Sequence, residues 1–259
     1  MKNIDPASES RKIITFMKAS FQSAGFTDAV IAVSGGVDSS VSLVLTIRAL
    51  GVEHVYPVLL PYGPLSTQGT LDAMNIVDTL NIPLGHVTRI DIRPVVDAVI
   101  GREAGTDNIR KGNVMARARM IFLFDQAKKR SALVVGTENR SEHLLGYFTR
   151  FGDEASDIEP IRNLYKTEVY ELAKHLEVPQ QILSRKPTAG LWEGQTDEGE
   201  FGFNYNDADE ILYRHFDRNE AKETIKSAGF ASDTIDKVLA FAQKNSFKHN
   251  LPIVAPHDE

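Results

Sequence analysis

The sequence contains no cysteine among its 259 residues. This absence excludes disulfide bonds, thiolate metal sites and a cysteine nucleophile. It also means that no nitrogen can be released from glutamine by a cysteine-dependent site on this chain.

An excess of positive charge and long apolar runs are missing as well. There are 29 Lys and Arg against 35 Asp and Glu, with a net charge of −6 and a pI near 5.7, whereas a nucleic-acid-binding surface is normally basic. The segment from Met1 to Ser10 lacks the apolar core of a signal peptide, and no apolar stretch approaches the ~20 residues of a membrane span. We therefore predict a soluble cytoplasmic protein without a nucleic-acid or membrane partner.

Strand-like and helix-like segments alternate through the first half of the chain. Buried-type strands are predicted over 30–33, 55–60, 86–90 and 133–135, with helices between them. Such alternation predicts a single α/β domain over residues 1–259, with a doubly wound, open parallel sheet and helices on both faces. Ligands bind beyond the carboxyl ends of such strands, so the loops that begin at Ser34 and Gly136 should be neighbours.

The first of these loops has the features of a phosphate-binding loop. The apolar run from Ala29 to Val33 leads into Ser34-Gly35-Gly36-Val37-Asp38-Ser39-Ser40, and a helix-like run continues to Leu50. Glycines let peptide N–H groups approach an anion, and a helix directs its positive end at the same point. The loop has neither the lysine of G-x-x-x-x-G-K-[ST] nor a G-x-G-x-x-G pattern. The alternative is a flexible turn without a ligand.

The second loop is Gly136-Thr137-Glu138-Asn139-Arg140-Ser141-Glu142. Thr137 is the expected helix N-cap, which would place Glu138 and Glu142 on one helical face. Asp38 and Glu142, each just beyond a strand end, would form an oxygen-ligand pair for a Mg²⁺ that bridges phosphate groups. The alternative is an exposed Glu pair on a solvated helix.

A predicted helix from Asn108 to Lys129 carries Arg110, Asn113 and Arg117 along one face. The ordinary interpretation is a solvated basic stripe opposite a core face. The same helix contains the segment Lys111-Gly112-Asn113-Val114-Met115-Ala116-Arg117.

Taken together, these segments resemble known enzymes. The first loop resembles that of the ATP pyrophosphatase superfamily. Two segments resemble the ammonia-dependent NAD synthetase family, namely K-G-N-x-x-A-R and the G-T-x-x-x-x-E pattern that ends at Glu142. The resemblance continues over most of the chain, at Gly152-Asp153, Lys166-Thr167-Glu168, Pro187-Thr188-Ala189 and Gln195-Thr196-Asp197-Glu198. The resemblance implies a ligase that amidates deamido-NAD with ammonia, cleaving ATP to AMP and pyrophosphate through an acyl adenylate, in the last step of NAD biosynthesis.

The resemblance also implies a set of site residues. ATP would be bound by Ser34, Gly35, Gly36, Val37, Asp38, Ser39, Ser40, Thr137, Lys166 and Thr188, and Mg²⁺ by Asp38 and Glu142. Deamido-NAD would contact Arg117, Arg150, Asp157 and Lys248, in a site built across a homodimer interface. Asp38, Glu142 and Lys166 would act in catalysis, with Asp153 a candidate to take a proton from ammonium.

The chain departs from the family pattern at three points. Phe247 stands at the position where His is frequent in the family, directly before Lys248 and ahead of Leu251-Pro252. Arg150 replaces a frequent Lys, and Glu154 a usual Gly. Two rival hypotheses are a tRNA-thiolating or GMP-forming member of the superfamily and a non-catalytic nucleotide sensor.

The segment 185–203 lacks any apolar period and contains Gly190, Gly194 and Gly199. Ordering it costs roughly 1–2 kcal/mol of backbone entropy per residue, with few apolar groups to offset this. We therefore predict a lid that is mobile in the free protein and closes over both bound substrates.

Overall fold

Four short strands form a parallel sheet in the computed structural model, which describes residues 4–102, 104–249 and 255. They are β1 (Ala29–Ala32), β2 (Val55–Leu59), β3 (Thr88–Arg89) and β4 (Leu133–Val135). The strand order is β3-β2-β1-β4, so β1 pairs with β2 on one side and β4 on the other. Leu251 and Pro252, at the C-terminal departure from the family pattern, lie outside the described residues.

Helices connect these strands and continue after the last of them. Those in the first half are α1 (Pro6–Ala24), α2 (Val37–Leu50), α3 (Thr67–Thr79), α4 (Arg93–Ile100) and α5 (Asn108–Arg130). Those in the second half are α6 (Arg140–Leu145), α7 (Lys166–His175), α8 (Gln180–Leu183), α9 (Asp197–Phe201), α10 (Tyr205–Leu212), α11 (Lys222–Ser227) and α12 (Ser232–Asn245). A π-helical turn, Tyr213–Asp217, extends α10.

Alternate residues of β1 enter two different cores, because successive strand side chains point to opposite faces. Ile31 packs in a cluster with α1, α2, α3 and α7, whereas Val30 packs with α4 and α5. The sheet therefore has helices on both faces, and the doubly wound fold predicted from the alternating pattern is confirmed.

A third apolar cluster joins the C-terminal helices. It is built around Leu145 of α6, Phe201 of α9, Ile211 of α10 and Val238 of α12. Helices α6, α9 and α12 of this cluster contribute residues to a cleft at the carboxyl ends of the strands. Among the described helices, none is both long and apolar enough to cross a membrane.

Candidate active site

A cleft of about 820 Å³ opens at the carboxyl ends of β1, β2 and β4. After β1 the chain adds β2 and β3 on one side of this strand, and it then returns to add β4 on the other side. The strand order therefore switches between β1 and β4. Such a switch point separates the loops after the two strands and leaves a crevice between them. The loops at Ser34 and Gly136 both line the cleft, so the prediction that they are neighbours is confirmed.

The loop after β1 holds its shape through its own hydroxyl groups. The Gly36 N–H donates to the Ser34 hydroxyl at 3.2 Å, and the Ser39 hydroxyl donates to the Gly36 carbonyl at 3.1 Å. Gly35 has φ +82°, which favours glycine. Helix α2 begins directly after Gly36, and its first N–H groups are free to bind an anion at the cleft.

One of the predicted phosphate-binding residues lies behind this loop. Ser40 is fully buried, and its hydroxyl donates to the Gly36 carbonyl at 2.8 Å. The cleft is lined by Ser34 through Ser39 but not by Ser40. The Ser40 hydroxyl therefore supports the loop from behind, and its contact with ATP stays a prediction.

Helix α6 begins two residues later than predicted. Its N-cap is Asn139, whose side-chain oxygen accepts the Glu142 N–H at 2.9 Å, while the Glu142 carboxylate accepts the Asn139 N–H at 3.4 Å. The Thr137 N-cap prediction is therefore wrong, although Thr137 does line the cleft. Asn-x-x-Glu is itself a capping-box pattern that the sequence displays. The Asn139 amide also donates to Asp38 at 2.9 Å and so ties the two loops together.

Lys166, the first residue of α7, lies between the two predicted metal ligands. Its ammonium group is 2.6 Å from the Asp38 carboxylate and 3.3 Å from that of Glu142, and its side chain is 3% exposed. Its position is fixed from the backbone, because the Lys166 N–H donates to the buried Ser141 hydroxyl at 2.8 Å. The sequence therefore identified three residues that the fold brings together.

The charges around Lys166 perturb one another strongly. Burial raises the pKa of Glu142 well above its usual value, with Lys166 opposing the rise and Asp38 adding to it. Burial would lower the pKa of Lys166, but Asp38 and Glu142 raise it overall. Lys166 therefore stays cationic at neutral pH, and it neutralises part of the negative charge of this cluster.

A third buried carboxylate, which the sequence did not single out, belongs to the same cleft. Asp197, the first residue of α9, accepts hydrogen bonds from the hydroxyl groups of Tyr205 at 3.0 Å and Tyr147 at 3.3 Å. Burial raises its pKa, while Lys166 lowers it. Only the Gln195-Thr196-Asp197-Glu198 match to the family pattern pointed to this residue.

The donor set suits a magnesium ion that arrives with a nucleotide. Asp38 and Glu142 both turn carboxylate oxygens toward one point in the cleft, where Lys166 now lies. Mg²⁺ is commonly held by one or two carboxylates together with substrate phosphates and water. Among the described residues, no group of three or more His, Cys, Asp or Glu side chains is arranged to hold a metal ion without such a substrate.

Glu138 does not lie on one helical face with Glu142, contrary to the prediction from their spacing. It precedes α6, and its carboxylate pairs with the Arg162 guanidinium at 2.7 Å and lies 3.3 Å from the His143 ring. Glu159 lies beside it and accepts the Glu138 N–H at 3.2 Å. The late start of α6 is the cause, because residues before a helix do not have its spacing.

The predicted deamido-NAD contacts are not all in the cleft. Lys248 lines it and donates to the carbonyl groups of Gly146 and Phe148 at 2.7 and 2.8 Å. Arg117 is exposed on α5 outside the cleft, where its guanidinium donates to the Arg150 carbonyl at 3.2 Å. Asp157 lines a separate cavity of about 490 Å³ beside β4 and accepts the Val134 N–H at 2.7 Å.

Two of the departures from the family pattern contact each other. The Arg150 guanidinium lies 5.3 Å from the Phe151 ring centre and 5.8 Å from that of Phe247. Arginine stacks on aromatic rings more readily than lysine does. Arg150 and Phe247, the residues found where Lys and His are frequent, therefore form one surface next to Lys248.

Asp153 and Arg119 face the cleft together. Asp153 is open to the cleft but surrounded by protein, and the resulting desolvation raises its pKa, although the Thr149 N–H at 2.8 Å opposes the rise. Arg119, which the sequence did not single out, donates to the Leu60 carbonyl at 3.2 Å. Desolvation lowers the pKa of its guanidinium, and the charge of Asp153 opposes this effect.

The segment 185–203 has more fixed contacts than its composition predicts. Thr196 caps α9 by accepting the Gly199 N–H, and Gln195 accepts the Leu191 N–H at 2.7 Å. Arg185 pairs with Asp72 of α3 at the other end. Thr188 lines the cleft and is exposed. Residues 186–194 contain no helix or strand, whereas α9 forms within the same segment despite its lack of an apolar period. The lid over 185–203 stays a prediction.

The sequence and the structure of this chain are similar to those of known proteins. The NAD synthase family model matches residues 9–252. The NH(3)-dependent NAD(+) synthetase of Pyrococcus horikoshii is 43% identical over 255 residues, 98% of this chain and 96% of the relative. NMN synthetase from Francisella tularensis and the NH3-dependent NAD synthetase of Campylobacter jejuni have similar structures, with TM-scores of 0.85 and 0.82 at 31% and 30% identity. Each structural match covers 98% of this chain and 100% of the other.

The fold and the cleft define a nucleotide-binding α/β protein of the adenine nucleotide alpha hydrolase type, with a phosphate loop that lacks the Walker lysine. The match extends over nearly the whole chain rather than over the loop alone. The chain belongs to the NAD synthase family.

Proposed function

We propose that this chain is an ammonia-dependent NAD synthetase, which uses ATP to convert deamido-NAD and ammonia into NAD, AMP and pyrophosphate. The observation that carries the proposal is the meeting of the α2 N-terminus with Lys166, Asp38 and Glu142 at one end of the cleft. A loop without a Walker lysine suits pyrophosphate as the leaving group. A cytoplasmic location stays a prediction.

The carboxylate of the acceptor needs activation because its oxygen is a poor leaving group. Attack of that oxygen on the α-phosphate of ATP forms an acyl adenylate and releases pyrophosphate, and ammonia then displaces AMP. The N–H groups of the first turn of α2 and the Lys166 ammonium stabilise the charge that develops on the departing pyrophosphate. Mg²⁺, bound through Asp38, Glu142 and the phosphates, would supply further neutralisation of that charge.

Ammonium must lose a proton before its nitrogen can act as a nucleophile. Asp153 lines the cleft, and the surrounding protein raises the pKa of its carboxyl, which brings it closer to the range of a general base. We therefore assign to Asp153 the acceptance of a proton from ammonium. The absence of cysteine is consistent with ammonia as the direct nitrogen source.

A homodimer is part of this proposal. Arg117 and Arg150 lie together outside the cleft, and Ile121, also on α5, is 57% exposed. If both arginines contact deamido-NAD, they cannot contact a molecule that lies wholly within the cleft of the same chain. We therefore expect them to contact deamido-NAD bound to a second copy of the chain. Sedimentation should give a dimer, and Ile121→Glu should give a monomer with weaker deamido-NAD binding, whereas Lys129→Glu at the exposed end of α5 should not. A fully active monomer would contradict the shared site.

The lid hypothesis now applies mainly to residues 186–194. Gly190 and Gly194 have φ of +62° and +75° and nothing around them that a side chain would meet. Hydrogen exchange should show little protection of this stretch in the free protein and more with an ATP analogue and deamido-NAD. Equal protection with and without both substrates would mean that it is not a gate.

A second acceptor needs a direct comparison, because one similar structure is that of an NMN synthetase. The test incubates the chain with ATP, Mg²⁺ and ammonium, and with either deamido-NAD or nicotinate mononucleotide. We expect NAD from the first at a higher kcat/KM than NMN from the second. The reverse preference would make the mononucleotide the substrate, and no amide from either would reject the proposal. Glutamine in place of ammonium should give no product.

A further inference from the structure

Lys166 is placed where it would compete with a metal ion. Its ammonium group lies 2.6 Å from Asp38 and 3.3 Å from Glu142, so it contacts a carboxylate oxygen of each predicted metal ligand. The remaining oxygen of Asp38 accepts the Asn139 amide at 2.9 Å. Both carboxylates are thus engaged with protein donors.

The charge balance explains why a cation and Lys166 cannot both stay there. Asp38 and Glu142 supply at most two negative charges, and Lys166 already neutralises one of them. A divalent cation at this point would lie within about 4 Å of the ammonium, where like charges repel strongly in a partly buried site. The ring of Tyr205, with its centre 5.3 Å from the ammonium, lies on another side of the lysine and suits a cation there.

We propose that Lys166 acts as a built-in cation that occupies the Asp38–Glu142 pair until ATP arrives, so that Mg²⁺ enters with the nucleotide and binds poorly to the free protein. The triphosphate supplies anionic oxygens for both cations, so the lysine can move onto a phosphate while the metal takes its place between the carboxylates. This inference rests on the proposed function and adds an order of binding to it.

The lysine is suited to such an exchange. It lines the cleft, so its ammonium can reach a ligand there without a backbone movement, and its stem is flexible. Its backbone N–H is fixed to Ser141, which anchors the stem at the start of α7. The movement therefore involves only the side chain.

The test measures Mn²⁺ binding by electron paramagnetic resonance, with no acceptor and no ammonium present. Lys166→Gln should bind Mn²⁺ without nucleotide at least about tenfold more tightly than the wild type. Adding Glu142→Gln to that variant should abolish the gain. Lys174→Gln, at the exposed end of the same helix, removes an equal charge and should behave as the wild type.

A wild-type protein that binds Mn²⁺ alone as tightly as Lys166→Gln would overturn the inference. If Lys166→Gln fails to fold, a measurement on the wild type decides. The wild type should then bind Mn²⁺ only in the presence of α,β-methylene ATP. Asp38→Asn should not bind Mn²⁺ even with this analogue. Equal Mn²⁺ binding with and without the analogue would also overturn the inference. Amide formation is assayed separately, so failure of the proposed function would be distinguishable from failure of this binding order.

Discussion

The backbones of Gly35 and Gly69 are in direct contact, which joins the phosphate loop to helix α3. A Cβ atom on Gly35 would overlap the Gly69 carbonyl oxygen, and one on Gly69 would lie 2.7 Å from the Ser34 carbonyl oxygen. Asp72, one turn further along α3, pairs with Arg185 at the start of the 185–203 segment. Helix α3 therefore links the phosphate loop to the base of the predicted lid.

The contact predicts that Gly69→Ala weakens ATP binding. The added methyl group must push either the Ser34 peptide or α3 away, which displaces N–H groups that are aimed at the phosphates. We expect the KM for ATP to rise by about tenfold, corresponding to the ~1–3 kcal/mol typical of overpacking. Gly85→Ala is the control, because a Cβ there meets nothing within 4 Å. Unchanged ATP affinity in Gly69→Ala would show that the loop tolerates the displacement.

Removing the charge of either predicted metal ligand should lower kcat for amide formation. Asp38→Asn and Glu142→Gln should each lower kcat on the order of a hundredfold at saturating Mg²⁺, because transition-state charge loses its stabilisation. Steady-state amide formation measures this. Glu171→Gln, a carboxylate on the exposed face of α7, should leave kcat unchanged. Near-normal rates in both site variants would reject the assignment.

The stability of the protein should depend on the protonation of Glu159. Burial raises the pKa of this carboxyl from 4.5 to about 7, with Ser156 and Arg162 opposing the rise. The folded protein therefore keeps a proton that the unfolded chain has released. The stability that this proton contributes is complete below about pH 4.5 and is lost as the pH rises through about 7.

Glu159→Gln replaces the protonated carboxyl by a neutral amide and should remove this pH dependence. Its free energy of unfolding, compared with the wild type, should rise between pH 5 and pH 8 by up to about 3 kcal/mol. Urea denaturation at the two pH values measures the difference. The exposed control Glu171→Gln should show no such trend, and the same flat result for Glu159→Gln would mean that Glu159 is ionised throughout.

Local pattern and sheet topology were sufficient to predict much of the fold and part of the site. The strands, the helix from Val37, and the meeting of the loops at Ser34 and Gly136 are consequences of the alternating segments and of the switch-point rule. Asn139 was also accessible, since it stands three residues before Glu142 in a capping-box pattern.

Contacts between distant residues were not accessible from pattern alone. Lys166 and Asp38 are 128 residues apart, and only the folded chain places the ammonium between two carboxylates. The pairing of Glu138 with Arg162 likewise depends on a loop that folds back beside β4. Spacing on a presumed helix suggested the wrong partner for Glu138, because the helix begins only after it.

The central claim is that the acceptor carboxylate attacks the α-phosphate of ATP. Deamido-NAD labelled with ¹⁸O in its nicotinate carboxylate, incubated with ATP, Mg²⁺ and ammonium, tests it by mass spectrometry of the products. We predict NAD, unlabelled pyrophosphate and AMP that carries one ¹⁸O atom, since the carboxylate oxygen leaves with the adenylate. Label in inorganic phosphate, with ADP as the nucleotide product, would contradict the account.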